Sequence, residues 1–146
     1  MPTRTARTAW NGSLEKGEGQ VELSSSKIGT YDVSFPKRAA DDANGFTSPE
    51  ELLAAAHSAC YAMQFSAVLG AAGGTVEALD VKADVTLGPD NAGGFELKNI
   101  HLTVRGEVTG IDADAFLQAA NDAKVGCPVS KALTGVEITL DAQLEA

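Results

Sequence analysis

Ser48-Pro-Glu-Glu-Leu-Leu-Ala-Ala-Ala-His-Ser-Ala-Cys60 reads as the opening of a long helix. Ser48 suits the N-cap, Pro49 suits the first helical position, and Glu51 stands three residues after Ser48, which makes a capping box. The Leu-Leu-Ala-Ala-Ala run propagates the helix. Gly70 and then Gly73-Gly74 mark its end. No Asp, Glu, Lys or Arg occurs from Leu52 to Val76, which raises the question of a membrane span. His57, Gln64, three glycines and many alanines leave the stretch only weakly apolar, and a buried central helix accounts for it better.

On the N-terminal side the chain reads as β. Gln20-Val-Glu-Leu23 alternates polar and apolar residues, and Tyr31 to Phe35 alternates again. Pro36-Lys37-Arg38 ends that run, because Pro36 has no N–H for a ladder. Residues 39 to 47 form a loop. On the C-terminal side, Leu79 to Leu87 and Phe95 to Val108 are alternating runs joined by a Gly/Pro/Asn-rich hairpin loop at 88 to 94. Asp112 caps a second helix through Val125, closed by Gly126. Cys127-Pro128 opens a third, short helix to about Leu133, and Val136 to Leu144 is a final strand. Segregated hairpins and helices predict an α+β fold with antiparallel sheet, not a doubly wound parallel one. The 146 residues fit one domain, 1–146.

The net charge is −9, which suits neither nucleic acid nor an anionic membrane, since both need an excess of Lys and Arg. Arg4 and Arg7 are followed by no apolar stretch, so no export signal is expected, and the protein is expected in the cytoplasm. Two cysteines are too few for a secreted disulfide scaffold. In a reducing compartment a cysteine pair is more often reactive than structural, although two buried, inert cysteines are also common.

The two cysteines sit in different settings. Cys60 lies mid-helix among small neutral neighbours, where a thiol tends to have a raised pKa. Making it a nucleophile needs a cation from elsewhere, and the arginines are Arg4, Arg7, Arg38 and Arg105. Arg38, at a strand end, is the natural candidate. Cys127 opens a helix, where free N–H groups favour a thiolate. On local physics alone, Cys127 is the more acidic. Glu51 has its duty in the capping box. Glu50 has none, and either favours the helix dipole or orients an arginine. Ten residues along a continuous helix span about 15 Å, so Glu50 serves locally or in a site built with a second chain. His57, three residues before Cys60, shares its helix face. It is a satisfied, partly buried histidine or a base toward Cys60. A metal site of His57, Cys60 and Cys127 would lack a fourth ligand and any CxxC spacing. No Gly-rich phosphate loop opens a helix, and no cofactor or metal is expected.

Thr47 to Cys60 and Lys124-Val-Gly-Cys-Pro-Val-Ser-Lys-Ala-Leu133 resemble the two cysteine signatures of the OsmC/Ohr family, the osmotically inducible and organic hydroperoxide resistance proteins. Ala9-Trp10-Asn11-Gly12 and Gly110-Ile-Asp112 are similar too, so the resemblance covers nearly the whole chain. Ala-His-Ser-Ala-Cys and Cys-Pro-Val-Ser resemble the OsmC branch. The resemblance implies an intertwined homodimer, with curved antiparallel sheets around long central helices and active sites at the dimer interface. It implies a peroxidase in which Cys60 is the peroxidatic and Cys127 the resolving cysteine. Arg38 matches the family arginine, and Glu50, not Glu51, the family carboxylate. The substrate implied is an organic hydroperoxide, with hydrogen peroxide as a further one. The reductant implied is a dithiol, a dihydrolipoyl group or a lipoylated protein. The alternatives are a redox sensor or binding protein using the same cysteines without turnover, and a metal-binding or purely structural stress protein.

Overall fold

The computed structural model describes residues 1–145. The chain divides into two compact units, Met1–Leu52 and Leu53 onward.

The first unit is a three-stranded antiparallel meander, β1 (Arg7–Asn11), β2 (Glu18–Glu22) and β3 (Thr30–Val33). The alternation at 20–23 and 31–35 marks two of these strands. β1 has no such pattern and was not expected; all five of its residues are exposed. Pro36-Lys37-Arg38 is not a plain strand end. It belongs to a one-turn helix, α1 (Phe35–Arg38), which Ser34 caps by accepting a hydrogen bond from Lys37 N–H. Pro36 lacks a ladder donor, as expected, but its fixed φ also suits a first helical turn. Val21 is this unit's one buried hydrophobic among the described residues, while Trp10, Leu14, Ile28 and Tyr31 are 41 to 75% exposed.

The long helix α2 (Pro49–Ala71) begins in the first unit and continues into the second. Ser48 Oγ accepts from Glu51 N–H at 3.1 Å, which is half of the expected capping box. The Glu51 carboxylate does not return to the cap. It accepts from the Thr47 hydroxyl at 2.6 Å, a charge-assisted bond that outcompetes the reciprocal one. Gly73 adopts φ +90 and Gly74 N–H donates to Leu69 O, so the glycines end the helix as expected.

In the second unit, β4 (Thr75–Pro89) and β5 (Phe95–Thr109) form a long antiparallel hairpin. α3 (Ala113–Gly126), capped by Asp112, and α4 (Pro128–Ala132) carry the chain back to β6 (Glu137–Glu145). β6 pairs with β5 in parallel, so this sheet is antiparallel in one pairing and not in the other. The physical reason is the helical crossover, which returns the chain to the end where β5 began. β5 is central and supplies Ile100, Leu102, Val104 and Val108 to the core. α2 supplies a stripe of every fourth residue, Tyr61, Phe65 and Leu69, and α3 supplies Phe116, Ala119, Ala120 and Ala123. Phe65 and Phe116 meet edge to face at 5.1 Å, and the Tyr61 hydroxyl donates to Ala120 O. α2 is long and apolar enough to cross a membrane by composition alone. Its stripe packs into this protein core instead, whereas Met63 on another face is 73% exposed.

Gly106 lets the Phe116 ring approach β5 closely. A Cβ there would stand 2.7 Å from Phe116 Cε2 and 3.0 Å from Leu79 Cδ2. Gly106→Ala is therefore expected to lower stability by about 1–3 kcal/mol through overpacking. A urea melt checks this, and an unchanged midpoint would show that the ring yields freely.

Candidate active site

Two groupings of functional side chains stand out, one in each unit. In the first unit, α1 and the start of α2 bring Arg38 to Glu50. Arg38 Nε donates to both carboxylate oxygens at 3.1 Å, and Nη2 donates to Oε1 at 2.7 Å. The Glu50 side chain is 10% exposed and that of Arg38 33%. A carboxylate so buried, meeting two nitrogens on one edge of a planar guanidinium, fixes its orientation as a lysine could not. Nη1 has no hydrogen-bond partner among the described residues. Arg38 forms one wall of a cleft of about 290 Å³ whose other walls include Trp10, Leu14, Val33, Phe35 and Leu52. Those walls are mostly apolar, and among the described residues Arg38 is the one charged residue that lines the cleft.

In the second unit, α2 presents Cys60 and the junction between α3 and α4 presents Cys127. Their sulfurs lie 3.0 Å apart, with both thiols free. Closing the remaining gap of about 1 Å to a disulfide length needs no change of fold. Gly126 permits the approach of α2, since a Cβ there would stand 3.0 Å from Gln64 Nε2.

The thiols differ electrostatically. Burial pushes the Cys60 thiol up, its bond with Cys127 adds to this, and the Val129 backbone N–H pulls only partly against it. Burial also opposes ionisation of Cys127, but its bonds with Cys60, with the Ser130 N–H and hydroxyl and with the Val129 N–H bring its pKa down overall. The Cys127 pKa is thus lowered and that of Cys60 raised, as the position of Cys127 before Pro128 predicts, and no cation of its own unit is among the groups that act on Cys60.

His57 is fully buried one turn before Cys60. Its Nε2 meets Ser130 Oγ at 2.7 Å, and its Nδ1 has no partner among the described residues. It is thus not the satisfied histidine that was one expectation, and the bond it makes goes to Ser130 rather than Cys60. Ser130 was not singled out from sequence. Its signal was there, three residues after Cys127, as His57 is three before Cys60. No group of three or more His, Cys, Asp or Glu that could hold a metal occurs among the described residues.

A family model described as OsmC-like protein matches residues 41–141, a span that includes Glu50 and both cysteines. The chain belongs to the OsmC family. Peroxiredoxin OsmC of Escherichia coli (strain K12) is 41% identical over 137 residues, 94% of this chain and 93% of that protein. Among solved structures, an organic hydroperoxide resistance protein from Elizabethkingia anophelis is 26% identical with a TM-score of 0.78, covering 99% of this chain and 98% of that one. OhrB of Bacillus subtilis is also 26% identical, with a TM-score of 0.75 over 95% of this chain and 98% of its own. This OsmC-family chain is accordingly a cysteine-based peroxidase of the peroxiredoxin type, and its α+β fold is that of the OsmC and Ohr proteins.

Proposed function

We propose that this OsmC-family chain reduces organic hydroperoxides in the cytoplasm as a homodimer. Cys60 attacks the peroxide, Cys127 resolves it, and each site is completed by Arg38 and Glu50 of the other subunit. The observation that carries this is the 3.0 Å separation of the two sulfurs. A thiolate displaces alcohol from the O–O bond and becomes a sulfenic acid. A second thiol in contact then condenses with it before further oxidation. An external dithiol, a dihydrolipoyl group or a lipoylated protein, returns both to thiols by exchange.

Three features support the shared site. Cys60 is held up by burial and lacks a cation in its own unit, while Arg38 holds a partly free guanidinium over an apolar cleft. α2 runs unbroken through Glu50 and Cys60, so ten residues separate them by about 15 Å along its axis. The first unit buries a single hydrophobic residue and leaves Trp10, Leu14 and Ile28 exposed, a surface suited to a second copy. The guanidinium would stabilise the Cys60 thiolate and polarise the peroxide, reversing the order of acidity seen in one chain. The apolar walls would hold the alkyl part of the substrate, at roughly 0.8 kcal/mol per buried methylene.

Steady-state kinetics with cumene hydroperoxide and hydrogen peroxide, each with dihydrolipoamide and with a monothiol, test the proposal. A kcat/KM at least about tenfold higher for the alkyl substrate, with the dithiol the better reductant, is expected from two or more buried methylenes. Absence of multiple turnover with any dithiol would favour a sensor. A monomer by light scattering at micromolar concentration would remove the shared site.

A further inference from the structure

A second link joins α2 and α4 beside the cysteines. His57 lies three residues before Cys60, and Ser130 three residues after Cys127. The two contacts, Nε2 to Oγ at 2.7 Å and Sγ to Sγ at 3.0 Å, are therefore neighbouring rungs one helical turn apart. His57 and Cys127 are fully buried and Ser130 is 5% exposed, so water does not compete for the His57–Ser130 bond, while Cys60 is only partly buried. Ser130 stands in the first turn of α4, three residues after the Cys127 N-cap, and its hydroxyl is among the groups that lower the Cys127 pKa. A hydroxyl carries one proton, so it donates to one neighbour while accepting from the other.

The unpartnered Nδ1 sets the direction. A buried N–H without an acceptor is rarer in proteins than an under-used acceptor. The proton of neutral His57 is therefore assigned to Nε2, leaving a lone pair at Nδ1. Nε2–H then donates to Ser130 Oγ, and Ser130 Oγ–H is left to donate to Cys127. Burial lowers the His57 pKa, which keeps the imidazole in this neutral form.

We infer that Ser130, aligned by His57, donates a hydrogen bond to the Cys127 thiolate and thereby sets that cysteine up as the resolving nucleophile. His57 is a positioning residue and not a base toward Cys60. The inference rests on the proposed order of attack, Cys60 before Cys127. In the step it serves, the Cys127 thiolate attacks Cys60 Sγ, an S–S bond forms and the S–OH bond breaks. Hydroxide leaves and takes up a proton to become water. The sulfenate sulfur is reduced and Cys127 oxidised, so no outside oxidant enters, and Ser130 keeps its proton.

One hydrogen bond to a charged group is worth about one pH unit in the thiol pKa. Losing it cuts the thiolate fraction about tenfold, but the more basic thiolate is the better nucleophile, with a Brønsted slope of about 0.4–0.5. Resolution should therefore slow by only about threefold.

The test is a titration of Cys127 by ultraviolet thiolate absorbance in the Cys60→Ser chain, where no turnover intervenes. Ser130→Ala should raise the midpoint by about one pH unit. His57→Leu should raise it less, and His57→Gln, which keeps an N–H donor, should restore it. In the chain with both cysteines, Ser130→Ala should lengthen the life of the dimedone-trapped sulfenate about threefold. An unchanged midpoint in both Ser130→Ala and His57→Leu, with helix content intact by circular dichroism, overturns the inference. A slower resolution without a pKa shift does so too, because it signals mere misalignment. A sulfenate trapped on Cys127 instead of Cys60 overturns the order of attack beneath the inference, and is distinguishable from either result.

Discussion

Cys60→Ser is expected to lower peroxide turnover by at least about 10³-fold, while Cys127→Ser keeps a first, stoichiometric turnover. A serine hydroxyl is barely ionised at neutral pH and gives no counterpart of a stable sulfenic acid. With Cys60 gone, the electron pair that breaks the O–O bond has no donor in the right place. With Cys127 gone, Cys60 still takes the oxygen, but the sulfenate stays open to sulfinic acid. Stopped-flow peroxide consumption combined with mass spectrometry of the trapped sulfur separates the two variants. The experiment is a real contest, because in one chain Cys127 is the thiol whose pKa is lowered and Cys60 the one whose pKa is raised. Full loss in Cys127→Ser with a surviving first turnover in Cys60→Ser would reverse the roles.

Arg38→Leu should cost about 10²–10³-fold in kcat/KM, the usual range for removing one preorganised electrostatic donor. Glu50→Gln should cost less, because it frees the guanidinium without deleting it. The sharper experiment mixes subunits. In a dimer with shared sites, one Arg38→Leu chain and one Cys60→Ser chain form one site with both residues intact. If chains co-refold at random, half the dimers are mixed and half their sites work, so about a quarter of wild-type activity returns from two dead parents. A dead mixture that is dimeric by light scattering would place Arg38 and Cys60 of the same chain in one site.

The sequence was most legible where local chemistry decides local structure. The Ser48-Pro49 start of α2, its glycine end, the β4–β5 hairpin and the Asp112 cap each rest on a few adjacent residues, and the structure has them all. It was least legible where a competing partner lies elsewhere. Glu51 was expected to close its own capping box, but the Thr47 hydroxyl takes the carboxylate. β1 shows no alternation because neither of its faces is buried in the chain, so it carried no periodic signal. The parallel pairing of β6 depends on where two helices deliver the chain, which no strand pattern records. The site residues divide in the same way. The juxtaposition of Cys60 with Cys127 and of Arg38 with Glu50 followed from resemblance to a family, since 67 residues separate the cysteines and 12 the ion pair. Ser130 went unremarked because its meaning appears only once His57 stands opposite.

In the shared-site arrangement proposed above, the thinly buried first unit would tie catalysis to mass action. A three-stranded sheet with one buried hydrophobic side chain draws little stability from itself. If its exposed face is covered by a second copy, stabilising that sheet and setting the guanidinium-bearing cleft beside the partner's sulfur are a single association event. Abundance would then govern more than how many peroxidase molecules are present. It would decide what fraction of them possess a working charge beside the sulfur, so that a cell making little of the chain would hold it largely idle, and induction would raise activity faster than it raises protein.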